Sequence, residues 1–185
     1  HLRRRSRDLC LCLGRCRCDC CCFALNFDRL AAPMTLMVTG VGALIHLYAV
    51  GYMHEEEDYA RFFSLLNLFV FAMLAIILAD NLLLLFLGWE GVGFCSYGLI
   101  GFWYQNRDYA AAGRKAFVVN RIGDFGVLIG MFILVGVAKS FEFADINAAA
   151  MGGQFRPDFP LWISSVAPSL ATVACVFLFL GCTGK

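Results

Sequence analysis

The chain has 185 residues and a net charge of +1; 61% of its residues are hydrophobic and its mean hydropathy is +0.72. A soluble domain is about 45–50% apolar, so the excess is more than one buried core absorbs and several faces must meet lipid. The near-neutral charge gives no footing for a nucleic-acid partner. The 18 glycines and 18 phenylalanines, against four prolines, suit closely packed membrane helices.

Seven of the ten cysteines fall in the first 22 residues: Cys10, Cys12, Cys16, Cys18, Cys20, Cys21 and Cys22. The same stretch holds Arg3, Arg4, Arg5, Arg7, Arg15 and Arg17. Four readings compete for this tract. Cys18-Asp19-Cys20-Cys21 contains a Cys-x-x-Cys spacing, which suits a metal or Fe–S site. A disulfide framework is a second reading. A signal peptide fits poorly, because the apolar run is short and interrupted. The plainest reading is low-complexity or out-of-frame sequence. Residues 1–22 are therefore expected to be non-native or disordered, with a membrane domain over 23–185. A shifted reading frame across the tract is expected to encode two apolar spans. With His1 at one end and Lys185 closing an unfinished motif at the other, the chain reads as a piece of a longer protein.

Five apolar stretches follow, each near the roughly 20 residues needed to cross a ~30 Å hydrocarbon core. The spans are predicted at about 34–53, 61–78, 82–104, 111–138 and 161–185. The first is closed by His54-Glu55-Glu56-Glu57-Asp58 and the second by Asp80-Asn81. Between the fourth and fifth lies a polar loop, Lys139–Pro160, with a short helix predicted over Phe141–Ala150. A soluble helical bundle fails on the second and third stretches. From Phe62 to Leu87 the only charge is Asp80, and no helical stripe separates polar from apolar faces. Period-two alternation is missing, which argues against a barrel. The fold class is thus an all-α polytopic transmembrane helical bundle. Arg107, Arg114 and Lys115 against Asp108 put the Gln105–Lys115 loop, and with it His54–Arg61, on the cytoplasmic or matrix side. The N-terminal arginines argue the opposite orientation.

An ionisable residue inside a span is expensive and is a functional candidate by default. Glu90 lies eight residues into its span, beside Gly88, Trp89, Gly91 and Gly93; the glycines permit close helix approach and room for water. The bland alternative is a neutral, hydrogen-bonded tie between helices. Arg121 and Asp124 are three apart, hence on one helical face, and make a local pair that is either a clamp or a relay. Gly126 and Gly130 form a Gly-x-x-x-Gly, a weak packing signal alone. Arg114 and Lys115 sit at the mouth of the fourth span, where snorkelling is the default, although Lys115 has an inward alternative. His46, in the first span, is a packing residue or a proton relay. Gly181-Cys182-Thr183-Gly184-Lys185 lacks the first glycine of a phosphate-binding loop, because position 179 is Phe. It reads instead as a glycine-loosened helix carrying a lysine at membrane depth. Burial disfavours the charge on a lysine or a glutamate alike, so such a pair can trade a proton when its separation or hydration changes.

Several strings, in order, resemble one family. They are Thr39-Gly40-Val41-Gly42, Leu44 to Tyr48, Gly51-Tyr52-Met53, Arg61-Phe62-Phe63 and Ala79-Asp80-Asn81-Leu82-Leu83. Gly88-Trp89-Glu90-Gly91-Val92-Gly93, Lys115 to Asp124 and Gly181 to Lys185 continue the series. From about Ala24 to Lys185 the chain is similar to the large antiporter-like, proton-pumping subunit of respiratory complex I: the NADH-quinone oxidoreductase chain L, or NADH dehydrogenase chain 5, family. The resemblance implies that the five spans are helices three to seven of a larger antiporter-like fold. It implies a membrane-arm subunit coupling NADH oxidation and quinone reduction to proton translocation. Glu90 matches the family's key glutamate and Lys185 the lysine it interacts with, a proton-transfer pair. Asp124 and Arg121 match charged positions on the next helix, and Lys115 and His46 are accessory candidates. No cofactor is expected in this chain; NADH, FMN, Fe–S clusters and quinone are implied in or with other subunits. The implied partners are other membrane-arm subunits, the lipid bilayer and protons, in a bacterial or mitochondrial inner membrane. Two rivals remain, a multisubunit cation/proton antiporter subunit and a structural membrane scaffold.

Overall fold

A computed structural model describes residues 9–10, 24–155 and 169–185. Its elements are β1 (Leu9–Cys10), β2 (Ala24–Leu25), α1 (Ala31–Tyr52), α2 (Tyr59–Ile77), α3 (Leu82–Ile100), α4 (Arg107–Ala138), α5 (Phe143–Met151) and α6 (Leu170–Thr183). Among the described residues, four helices, α1 to α4, are long and apolar enough to cross a membrane. The protein is a multi-pass membrane protein, and the described residues are all-α apart from one two-residue strand pair. The chain divides into two compact units, His1–Phe117 and Val118–Lys185.

In the first unit, α1 begins three residues before its predicted start. The Asp28 carboxylate accepts the amides of Leu30 and Ala31 at 2.9 and 2.6 Å. Pro33 then falls in the first turn, where a missing N–H has no helical partner to lose. The helix is apolar all round, with Leu36, Val41, Leu44 and Leu47 exposed, as a lipid-embedded segment requires. Polar side chains on these helices turn inward on their own backbone. Thr39, Ser64, Asn67 and Ser96 each donate to the carbonyl four residues back, at 2.7 to 2.9 Å. That arrangement satisfies them without water.

The corner between α2 and α3 is capped. The Asn81 side chain accepts the Leu84 amide at 2.7 Å, which is the usual N-cap arrangement. The Asn26 amide donates to the Leu78 carbonyl at 2.9 Å, and its side chain reaches Asp80 at 3.4 Å. The two helices then pack through glycines. A Cβ on Gly88 would stand 2.9 Å from the Ala72 carbonyl oxygen, and one on Gly91 would stand 3.1 Å from the Ala72 methyl. Cys95 is fully buried on the same face. At the far end the Arg61 guanidinium donates to the Phe102 carbonyl at 2.8 Å. The loops 53–58 and 101–106 therefore share one end of the α2–α3 pair.

Helix α3 stops at Ile100 rather than at the predicted Tyr104. Gly101 lies against Gly113, whose Cβ would stand 3.1 Å from the Gly101 Cα. Helix α4 starts at Arg107, four residues before its predicted start, because the Asn106 side chain accepts the Asp108 amide at 3.0 Å. At 32 residues α4 is about 48 Å long, well beyond a ~30 Å core. Its first turns, with Arg114 and Lys115 exposed, are the natural part to stand outside hydrocarbon.

In the second unit, α4 ends where Lys139 takes a left-handed conformation (φ 58°) and its amide bonds the Val135 carbonyl at 2.8 Å. The short helix α5 lies within two residues of its predicted place. Helix α6 has 14 residues, about 21 Å, and is shorter than the predicted fifth span. Residues 161–168 of that span lie outside the described residues. So does the cysteine-rich tract with its competing readings, except that Leu9 and Cys10 pair antiparallel with Leu25 and Ala24.

Candidate functional site

Three ionisable residues meet where α4 packs on α6 in the second unit. Their meeting follows from missing side chains. Gly123, Gly126 and Gly130 lie three and four apart on one face of α4. A Cβ on Gly123 would stand 2.9 Å from the Gly184 Cα. One on Gly126 would stand 3.0 Å from the Phe177 carbonyl oxygen, and one on Gly130 2.9 Å from that of Ala174. Gly181 answers from α6: its Cβ would run into the Val127 side chain and stand 2.9 Å from the Val127 amide nitrogen. Small residues on both sides let the backbones approach.

That approach brings Lys185 beside Asp124. Lys185 Nζ lies 3.7 Å from one carboxylate oxygen of Asp124, and Arg121 Nη1 lies 4.0 Å from the other. These are ion-pair distances rather than short hydrogen bonds. The Asp124 residue is 2% exposed, whereas the side chains of Lys185 and Arg121 are 15% and 35% exposed. Burying a carboxylate this far is costly without such partners. The cluster has a chemical consequence. Arg121 is a second cation at the same carboxylate. A proton leaving Lys185 therefore still leaves Asp124 a cationic neighbour.

The i, i+3 relation anticipates the Arg121–Asp124 contact. The Lys185–Asp124 contact is not anticipated, although a signal exists: Gly123-Asp124 and Gly184-Lys185 each set a charge beside a glycine on an apolar helix. Glu90 lies in the first unit, half-buried on α3 between glycines that pack against α2. His46 Nδ1–H donates to the Gly42 carbonyl at 2.7 Å, its ring lies 6.1 Å from that of Phe63, and its Nε2 is buried without a hydrogen bond among the described residues. Lys115 is exposed on α4. Among the described residues, no three or more His, Cys, Asp or Glu side chains cluster as metal ligands would.

Apolar helices drawn together by glycines, four of them long enough to cross a membrane, with an acid and two cations held at one contact, define a polytopic membrane protein that keeps ionisable groups within its helix packing. Residues 79–185 match the transmembrane family of NADH:quinone oxidoreductase and Mrp antiporters, and residues 21–63 match the N-terminal family of chain 5 of NADH-ubiquinone oxidoreductase (complex I). The chain belongs to the NADH:quinone oxidoreductase/Mrp antiporter transmembrane family. It is 49% identical over 126 residues to the NADH-quinone oxidoreductase subunit L of Mycobacterium tuberculosis, covering 68% of this chain and 20% of that protein. It is 45% identical over 163 residues to the subunit L of Pseudomonas aeruginosa and 39% identical over 163 residues to that of Rickettsia bellii, covering 88% of this chain and 25% of each relative. The chain thus spans a fifth to a quarter of the length of these relatives.

Proposed function

We propose that the protein is a membrane-arm subunit of NADH:quinone oxidoreductase and moves protons across the bacterial, or mitochondrial, inner membrane. The observation that carries this reading is the ion cluster, in which Asp124 is 2% exposed and has Lys185 and Arg121 within 4.0 Å, in a chain of this family. Buried charge in a membrane protein is costly and is kept where ions or protons are handled.

In this proposal Lys185 is the group that gains and loses the proton. Asp124 and Arg121 hold the lysine at the helix contact and moderate its charge. Glu90 takes the role of a second acid partner of Lys185, on the family resemblance and its place among glycines. His46 and Lys115 are candidates for delivering protons to the cluster. A change of charge in a neighbouring subunit shifts the balance between the lysine and its acids, and the proton leaves or enters along a hydrated path between helices. Oxidation of NADH and reduction of quinone, with FMN and Fe–S clusters, belong to partner subunits; the residues of this chain bind, position and release protons.

Glu90→Gln in the full-length subunit, within the assembled complex, tests the proposal, since it preserves size and removes charge. NADH-driven proton pumping in membrane vesicles, normalised to assembled complex, is expected to fall sharply, while Glu90→Asp does less harm. Normal pumping by the Gln variant would falsify the role given to Glu90 and leave its charge a packing feature.

A further inference from the structure

Within the first unit, a groove of about 580 Å³ runs along α2 and α3. Its walls are Leu65, Leu68 and Phe94, and its floor is open because Gly98 and Gly101 carry no side chains. A Cβ on Gly98 would already stand 3.0 Å from Leu65. Leu68 and Phe94 are exposed, so the groove opens away from the helix pair. Both helices are long and apolar enough to cross a membrane, and an open apolar groove on such helices suits an acyl chain.

The groove ends at Arg61, which is held in place on several sides. It donates to Asp58 at 3.1 Å and to the Phe102 carbonyl at 2.8 Å. It also lies over the rings of Phe102 and Tyr104, at 5.0 and 4.8 Å from their centroids. Those bonds use two of the five N–H donors of a guanidinium, and the side chain remains 40% exposed. Beyond Arg61 lies a second cavity of about 830 Å³, which shares Tyr104 with the groove and is lined by Glu55, Glu56, Glu57, Asp58 and Trp103.

Along this path the protein presents an apolar trough, then one fixed cation, then four carboxylates with aromatic faces. A zwitterionic phospholipid presents the complementary series of acyl chain, phosphate and ammonium. We infer that this groove binds an ammonium-bearing zwitterionic phospholipid, with a chain between α2 and α3, the phosphate at Arg61 and the ammonium in the acidic cavity. Guanidinium suits a phosphate, and carboxylates with aromatic faces suit an ammonium. An anionic headgroup would keep the phosphate contact and meet four carboxylates with no cation of its own. The inference rests on the membrane-spanning helices and is independent of the proton-pumping proposal.

The test places the full-length protein, in its complex, in nanodiscs doped with phosphatidylethanolamine or phosphatidylglycerol bearing the same photoreactive acyl chain. Labelled peptides are mapped by mass spectrometry. Phosphatidylethanolamine is expected to label the segments around Leu65–Leu68 and Phe94–Gly98 well above phosphatidylglycerol. A Glu55→Gln/Glu56→Gln/Glu57→Gln variant, altered only in a surface loop, should lose that preference. Gly98→Leu, which fills the groove, should lose labelling by both lipids. Equal labelling by the two lipids overturns the inference, as does a preference unchanged in the triple variant. A photoreactive amino acid at position 68 that crosslinks to polypeptide instead of lipid also overturns it, because the groove is then a protein contact.

Discussion

The α2–α3 contact and the α4–α6 contact are built alike and hold different things. Both depend on glycines spaced along one helix face, at distances where a single Cβ would meet the opposing backbone. In the first contact the most buried residues are apolar, Ala72 and Cys95 among them, and Glu90 is only half-buried between the glycines. In the second, the residues flanking the glycines are Asp124 and Lys185, and close approach closes an ion pair. Glycine therefore sets only how near two membrane helices come. The neighbour that shares the glycine's face decides whether nearness yields a seal or an electrostatic site.

The largest expected effect breaks the second contact at its charge. Asp124→Asn leaves Lys185 and Arg121 without the carboxylate that lies between them. Removing one member of a buried pair costs about 3–5 kcal/mol; partial rehydration of the two more exposed cations brings this variant to about 2–3 kcal/mol. Thermal unfolding of the full-length protein in detergent should show the loss, and vesicle pumping should fall with it. Unchanged stability would mean that the cluster contributes nothing to helix packing.

A matched pair of glycine variants sharpens the comparison. Gly181→Ala drives a methyl into Val127 and its backbone, an overpacking expected to cost about 1–3 kcal/mol and to part Lys185 from Asp124. Gly88→Ala presses on the Ala72 carbonyl and on Ile76, at a cost of about 1–2 kcal/mol. Both should lower the unfolding temperature, but only Gly181→Ala should also lower pumping per folded complex. Equal pumping defects in the two would show that the contacts are not used differently after all.

The smallest effect is expected at Gly40, where a Cβ would find nothing within 4 Å. Gly40→Ala should be neutral, or stabilising by up to about 1 kcal/mol, through helix propensity alone. A clear loss of stability there would show that α1 carries a close contact of its own.

The helices were legible in the sequence because hydropathy is a local property: a run of apolar residues spans a bilayer whatever lies beside it. Their ends were less legible. Asp28 and Asn106 sit outside the apolar runs, so their capping bonds extend α1 and α4 beyond the hydropathy boundary. Asp80-Asn81 read as a stop, and its structural role is a cap. The groove with its fixed Arg61 left no mark in the sequence, because it is assembled from two helices and two loops.

By itself the sequence determined that this is a membrane protein built of apolar helices, and it singled out Glu90, Arg121, Asp124 and Lys185 as the charges to explain. Each follows from composition within a short window, where the cost of burying a charge in lipid singles it out. Only the tertiary structure decided which charges meet. Arg121 is within one turn of Asp124, and helix geometry alone puts the two on one face. Lys185 reaches Asp124 only because glycines far apart in the chain let α4 and α6 touch backbone to backbone. That is a property of the packed pair, and neither helix carries it alone.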